Sequence, residues 1–328
     1  MTALAAFTHE EGARVQTLLA LKVANMMGRK LEEDDWAEVY CLAKGIPRRG
    51  WSNLNIDVMH ENLGVEQKML GWRWSGDIVE ACGTRHMHPS ATRSIRIESV
   101  KADPNEVMID VLGQYCALIA ARRRKVAEQN ASPRPVDMRT GWLLWRGDLR
   151  QFLYFEETMV APDAAAYYAE WHERRAGSDR KASRNLWIYE RATGRKAFSV
   201  TTSAGIKIQP YFDIPESNDP NLYIWTVSGE RHETGFVRVW LTRRTADQLR
   251  RHLGSLEPDQ LEHAIGRFID AVVDIEERRS ELSPDDVVAV SVPETAYERL
   301  VTTAGGVSDE YNFQLVAEHL AADDESPR

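Results

Sequence analysis

Asp57 and the triplet Glu66-Gln67-Lys68 are the residues of this sequence whose types and spacing best suit catalysis. The stretch 53–70 reads as two short strands joined by a turn. Because side chains alternate along a strand, Glu66 and Lys68 are expected on one face, and the turn can bring Asp57 beside them. Two carboxylates and one ammonium on one sheet face are more than a structural strand needs, which predicts a site.

The chemistry that suits these residues is metal-dependent hydrolysis of a phosphodiester. The carboxylates of Asp57 and Glu66 are the hard oxygen ligands that Mg²⁺ prefers, and the Gln67 carbonyl could add a third. Lys68 could orient the attacking water and offset charge that builds on the phosphate. The alternative from the same residues is a salt-bridged hairpin on an exposed sheet face.

The run Gly64-Val65-Glu66-Gln67-Lys68, a short gap after Asp57, resembles the PD-(D/E)XK nuclease superfamily, which includes the type II restriction endonucleases. The resemblance is strongest to the branch that contains the methyl-directed mismatch-repair nicking nuclease. It implies an Mg²⁺-dependent active site of Asp57, Glu66 and Lys68. A helix before the aspartate often adds a glutamate in that superfamily, and Glu38 is the best-placed match. The implied fold is a mixed central sheet flanked by helices.

Basic residues outside the hairpin are candidates for contact with double-stranded DNA, because Arg, Lys and small polar side chains supply most phosphate contacts. The stretch 174–196 carries eight bases and two acids. The alternative for this stretch is that its bases pair with the acidic end of the chain. The segment 73–100, which also carries candidate bases, could instead be a surface loop, or a zinc site formed by Cys82, His86 and His88. The candidate DNA-binding residues are Arg85, His86, Arg93, Arg96, Arg180, Lys181 and Arg184.

Charge and composition restrict the class of protein. The net charge of −9 is uneven, since residues 257–328 carry 18 acids and 5 bases, and the rest of the chain is therefore +4. No apolar run is long enough to span a membrane, and the first residues do not resemble a secretory signal. Three widely spaced cysteines favour a reducing compartment. We therefore expect a cytoplasmic protein without a membrane partner.

The expected fold class is α/β, with a restriction-endonuclease-like core followed by a β-rich and then a helical C-terminal region. Asp103-Pro104 begins a long helix over 103–125. Strands are expected over much of the chain after it, including a hairpin over 185–202, and the segment 161–175 is expected to be helical. The predicted domains are a nuclease core (1–175), a basic recognition region (176–256) and an acidic, mostly helical region (257–328).

These expectations together predict an Mg²⁺-dependent DNA endonuclease of restriction type. Because one active site per chain is visible and a duplex needs two cuts, a symmetric homodimer is the simplest assembly. Two alternatives are a non-catalytic DNA-binding protein on the same fold and a regulatory protein that binds partners through the acidic C-terminal helices.

Overall fold

The computed structural model describes residues 4–26, 31–47, 56–72, 76–88, 95–97, 99–100, 102–130, 133–174, 183–202, 207–271, 287–304 and 308–325. The helices in these ranges are α1 (His9–Met26), α2 (Glu33–Lys44), α3 (Pro104–Gln129), α4 (Arg243–Leu253), α5 (Pro258–Ala271), α6 (Glu294–Ala304) and α7 (Asp309–Glu325). The strands are β1 (Val58–His60), β2 (Leu63–Trp72), β3 (Arg85–Met87), β4 (Asp137–Arg146), β5 (Gln151–Thr158), β6 (Tyr167–Arg174), β7 (Ser183–Glu190), β8 (Lys196–Thr201), β9 (Lys207–Asp213), β10 (Tyr223–Thr226), β11 (Glu230–Glu233), β12 (Phe236–Thr242) and β13 (Val287–Pro293). The protein is of the mixed α/β class that the sequence predicts.

The first sheet has the strand order β1-β2-β4-β5-β10 and lies between helices. β2 and β4 run parallel, and the other neighbours in this sheet are antiparallel. α1 and α2 pack on one face, where Trp36 and Val65 belong to the same buried core. α3 packs on the other face, where Ile119, Val126 and Met138 form a second core. The β1–β2 hairpin is therefore covered on both sides.

α3 begins where the sequence predicts. The Asp103 side chain accepts hydrogen bonds from the backbone N–H groups of Asn105 and Glu106, at 2.8 and 3.3 Å, and Pro104 occupies the first turn. Asp103 thus satisfies amide donors that the helix itself leaves open. The helix runs to Gln129, beyond the end predicted at residue 125.

The second sheet is antiparallel, with the order β3-β9-β8-β7-β6. Its inner face packs on α3 through a core that includes Val107, Val111, Leu186 and Ile188. The predicted hairpin over 185–202 is confirmed by the pairing of β7 with β8. Its turn contains Gly194 at φ +67°, a backbone conformation that favours glycine.

The predicted helix over 161–175 is wrong, because β6 occupies most of that segment. Ala169 is buried and Trp171 packs on the same core, whereas Tyr168 lies on the other face. This alternation is the period of a strand, and β6 pairs with β7 along its whole length. The pairing with a strand further along the chain overrides the local helix signal.

A third unit contains the sheet β11-β12-β13 and the four C-terminal helices. Its core includes Val239, Leu261, Leu300 and Phe313. The sheets cross the domain boundaries drawn at 175/176 and 256/257. β6 pairs with β7, β10 completes the first sheet, and β12 pairs with β13. The boundaries of these units are determined by pairing between strands that are distant in the sequence, and the composition of the chain gives no information about that pairing.

None of the helices that the structure describes combines the length and the apolar character needed to cross a membrane.

Candidate active site at the β1–β2 hairpin

Glu66 and Lys68 lie together on the face of β2 that α3 covers. Lys68 Nζ lies 2.6 Å from Glu66 Oε1, as the alternation along a strand allows. The contact is an ion pair without the alignment of a hydrogen bond, so Glu66 Oε1 is a buried oxygen with no hydrogen-bond donor. Glu66 is almost fully buried, and Lys68 is partly exposed.

Arg122 of α3 supplies a second cation to Glu66. Its Nη1 donates to Glu66 Oε2, and the arginine is 0% exposed. A buried carboxylate needs such partners, because an isolated charge in the interior is costly. Arg122 begins a run of four bases in the sequence, yet Ile119 and Val126, three residues before and four residues after it, lie on the core stripe of α3. That helical spacing is the signal that could have placed Arg122 inside.

Asp57 is held against β2 by its backbone and its side chain. Its N–H donates to the Val65 carbonyl at 3.0 Å, and its Oδ2 accepts from the Gln67 N–H at 2.6 Å. These two hydrogen bonds hold Asp57 beside Val65 and Gln67, one residue before β1 begins.

Burial raises the pKa of Asp57 to about 6, although the Gln67 hydrogen bond and the Lys68 charge act in the opposite direction. The negative charges of Glu33 and Glu66 add to the rise. The charges of Lys68 and Glu66 therefore both act on Asp57. A bound cation would offset the cost of ionising Asp57 there.

The side chain of Gln67 points to the opposite face of β2, toward α2. It is 1% exposed, and its Oε1 accepts from the Trp36 indole N–H at 3.1 Å. The Tyr154 hydroxyl lies 3.2 Å from the same oxygen. Gln67 can therefore serve the site only through its backbone, which is the role that the sequence assigned to its carbonyl.

A buried polar network supports Gln67 from behind. The hydroxyls of Tyr40 and Tyr154 each lie 2.8 Å from Glu156 Oε1, and Arg139 Nη1 donates to Glu156 Oε2 at 2.8 Å. Burial and the charge of Glu156 raise the pKa of Tyr40 well above its ordinary value. Both phenols therefore remain protonated donors at neutral pH, and the network gives the strand behind the site a fixed position.

The predicted catalytic Glu38 contacts a different element. Its Oε2 lies 2.5 Å from Lys22 Nζ of α1. The glutamate of α2 whose charge raises the pKa of Asp57 is Glu33, in the first turn of that helix. The face of a short helix with mixed polarity could not be fixed from the sequence, because it depends on the packing of α1.

The predicted DNA-binding residues are dispersed, and most of those described contact other parts of the protein. Arg85 contacts Asp213, Glu190 and the Lys196 carbonyl, and His86 packs near Trp72 and Phe212. Arg184 donates to the Val100 carbonyl and lies over the Trp171 ring. Arg96 is exposed. Arg93, Arg180 and Lys181 lie outside the described residues.

The oxygen atoms of Asp57 and Glu66 are the ones that fit a divalent cation. Burial destabilises ionised Asp57, which a cation would offset, whereas Glu66 Oε1 already lies 2.6 Å from the Lys68 ammonium, which a cation would have to displace. Two carboxylates and a carbonyl suit Mg²⁺, which keeps several waters. Within the described part of the chain, no three His, Cys, Asp or Glu residues cluster as metal ligands, which applies to Cys82, His86 and His88 and equally to the acids near Asp57.

The chain matches no protein-family model, no curated protein and no solved structure.

Proposed function

We propose that the protein is an Mg²⁺-dependent DNA endonuclease of restriction type, built on a core like that of the PD-(D/E)XK nucleases. The observation that carries this proposal is that Asp57 is hydrogen-bonded to β2 at Gln67, the residue between Glu66 and Lys68, whose side chains form an ion pair. The hairpin, the long helix α3 and the parallel strand β4 follow one another in the order expected of that core.

Each residue has a role that its position supports. Asp57 and Glu66 would hold Mg²⁺ together with the Gln67 carbonyl, and the ion, when bound, supplies Lewis-acid activation of phosphate and water. Lys68 is partly exposed beside Glu66, where its ammonium would orient the attacking water and offset negative charge on the phosphate. Arg122 is fully buried and would orient Glu66 through their ion pair without touching the substrate.

A second candidate is a non-catalytic DNA-binding protein on the same fold. Lys68 and Arg122 are two cations that already neutralise Glu66, which favours this candidate, because a buried ion pair can be purely structural. The two candidates differ in one respect. A nuclease needs the Lys68 ammonium for turnover, whereas in a binding protein the ammonium only helps to neutralise Glu66.

Cleavage of supercoiled plasmid DNA with and without Mg²⁺ separates the candidates, using wild type and Lys68→Ala. A nuclease loses strand scission in Lys68→Ala while binding of DNA and of Mg²⁺ persists. A binding protein retards the plasmid in both forms and cuts it in neither. The plasmid should be tested methylated and unmethylated, so that a requirement for modification is not mistaken for inactivity.

A further inference from the structure

The outer face of the second sheet carries a row of aromatic side chains that are not part of the core on its inner face. Alternation puts Ala169, Leu186 and Ile188 inward against α3. The opposite face carries a set of residues that we call the aromatic platform, and all of them are half-buried rather than buried. The platform consists of Tyr168, His172, Trp187, Tyr189, Lys196 and Tyr211.

The rings of the platform are organised in stacked pairs across neighbouring strands. Tyr168 and Tyr189 stack with centroids 5.2 Å apart and planes 17° from parallel. His172 and Trp187 stack at 3.5 Å and 15°. Flat surfaces of this kind on an exposed sheet can accept further rings, and base–aromatic stacking is the usual way in which unpaired nucleobases are bound.

Lys196 places a cation among these rings. Its Nζ lies 3.0 Å from the centroid of Trp187, 5.9 Å from that of Tyr189 and 5.7 Å from that of Tyr211. The nearby Arg85 and Arg195 both contact Asp213, so their charge is partly neutralised. The Lys196 ammonium faces aromatic rings instead, and partial burial lowers its pKa. A phosphate would give this cation a stronger partner than the rings do.

The sheet around the platform is positive. Arg184 and Glu173 pair with each other on the inner face. The other described side chains of these strands and of the β7–β8 turn include five bases, Arg85, Arg191, Arg195, Lys196 and Lys207, and three acids, Glu170, Glu190 and Asp213. The excess of two positive charges lies in a chain of net charge −9. A polyanion is therefore the ligand that complements this face.

We propose that the aromatic platform binds single-stranded DNA, with unpaired bases stacked on the tyrosine pair and the backbone held by Lys196. A duplex hides the faces of its bases, so an aromatic surface of this kind gains little from it, whereas a single strand exposes every base. The platform is separate from Asp57, Glu66 and Lys68, and its binding does not depend on cleavage.

The experiment measures fluorescence anisotropy of a labelled thymidine oligonucleotide of about 16 nucleotides, and of a duplex of equal length, with no divalent ion present. The single strand should bind more tightly than the duplex. Tyr189→Leu keeps an apolar side chain but loses the ring, and it should weaken single-strand binding about tenfold. Tyr189→Phe keeps the ring and should bind like wild type, which separates stacking from a folding defect.

Lysine substitutions test the electrostatic part. Lys196→Ala should reduce the slope of log affinity against log salt by about 0.7, the value for one contact with a single strand. Lys125→Ala is the matched control, because the Lys125 side chain is 42% exposed on α3, where it pairs with a helix neighbour, Glu128, at 3.6 Å. A uridine oligonucleotide of the same length is measured beside the DNA. Equal binding by Tyr189→Leu and Tyr189→Phe, preference for the duplex, binding of the RNA alone, or the same slope in both lysine variants would each overturn the proposal.

Discussion

The Gln67 backbone N–H donates a hydrogen bond to Asp57 Oδ2 at 2.6 Å, so the strand that carries Glu66 and Lys68 also positions the carboxylate opposite them. Gln67 is fixed in turn by Trp36 and by the tyrosines behind it. The site on one face of the first sheet thus depends on a buried polar network on the other face. This dependence can be tested without touching any acidic residue.

Gly141→Ala should disturb the site from behind. Gly141 pairs with Gln67 across β2 and β4, and a Cβ there would collide with the Tyr154 hydroxyl and Gln67 Oε1. We expect a loss of about 1–3 kcal/mol in the free energy of unfolding, as for other overpacked cores. Gly147→Ala is the control, since its Cβ would meet nothing within 4 Å. Equal denaturation midpoints for the two variants would show that the network tolerates displacement.

Asp57→Asn should stabilise the protein at neutral pH. The pKa of Asp57 is about 6 in the folded protein, above the value of about 3.9 expected when unfolded. The folded state therefore binds the proton more tightly, and ionisation lowers the free energy of unfolding as pH rises from about 4 to about 6.

The amide cannot ionise, so the difference in stability between Asp57→Asn and wild type should grow across that window and stay constant above it. Chemical denaturation at a series of pH values without divalent ions measures this difference. A variant that is less stable than wild type at pH 7 would show that the ionised carboxylate stabilises the fold.

Arg122→Met should be strongly destabilising, because it leaves Glu66 buried beside Lys68 alone. Removal of one partner from a buried ion pair typically costs about 3–5 kcal/mol. The double variant with Glu66→Gln removes the orphaned charge and should recover much of the loss. Denaturation of the single and double variants completes the cycle. If the two losses simply add, Arg122 and Glu66 are not coupled as their contact implies.

Glu33→Gln should lower the pKa of Asp57, and Glu38→Gln should not. The charge of Glu33 raises this pKa, whereas Glu38 contacts Lys22. The carboxyl ¹³C shifts of labelled aspartates, with Asp57 identified by its absence in Asp57→Asn, follow the titration directly. If Glu38→Gln changes the pKa of Asp57 more than Glu33→Gln does, Glu38 is the acid that acts on Asp57, as the sequence predicted.

Helix-capping and turn residues in the sequence predicted those helices and hairpins whose ends depend on contacts between residues close together in the chain. Asp103 and Pro104 marked the start of α3, and the turn at 192–194 marked the β7–β8 hairpin. The contact of Lys68 with Glu66 follows from strand alternation alone. Interactions between distant segments escaped prediction, because no local pattern encodes them. The pairing that makes β6 a strand and the insertion of Arg122 beneath β2 are both of this kind.

Strand scission of plasmid DNA by Asp57→Ala, Glu66→Ala and Lys68→Ala, each beside wild type, tests the proposed nuclease most directly. Wild type should cut with Mg²⁺ and only bind with Ca²⁺, whose looser coordination places water less strictly. The two carboxylate variants should lose Mg²⁺ binding and cleavage together, and Lys68→Ala should lose cleavage alone. Cleavage by Asp57→Ala at the wild-type rate, with all variants folded, would contradict the assignment of this hairpin as an active site.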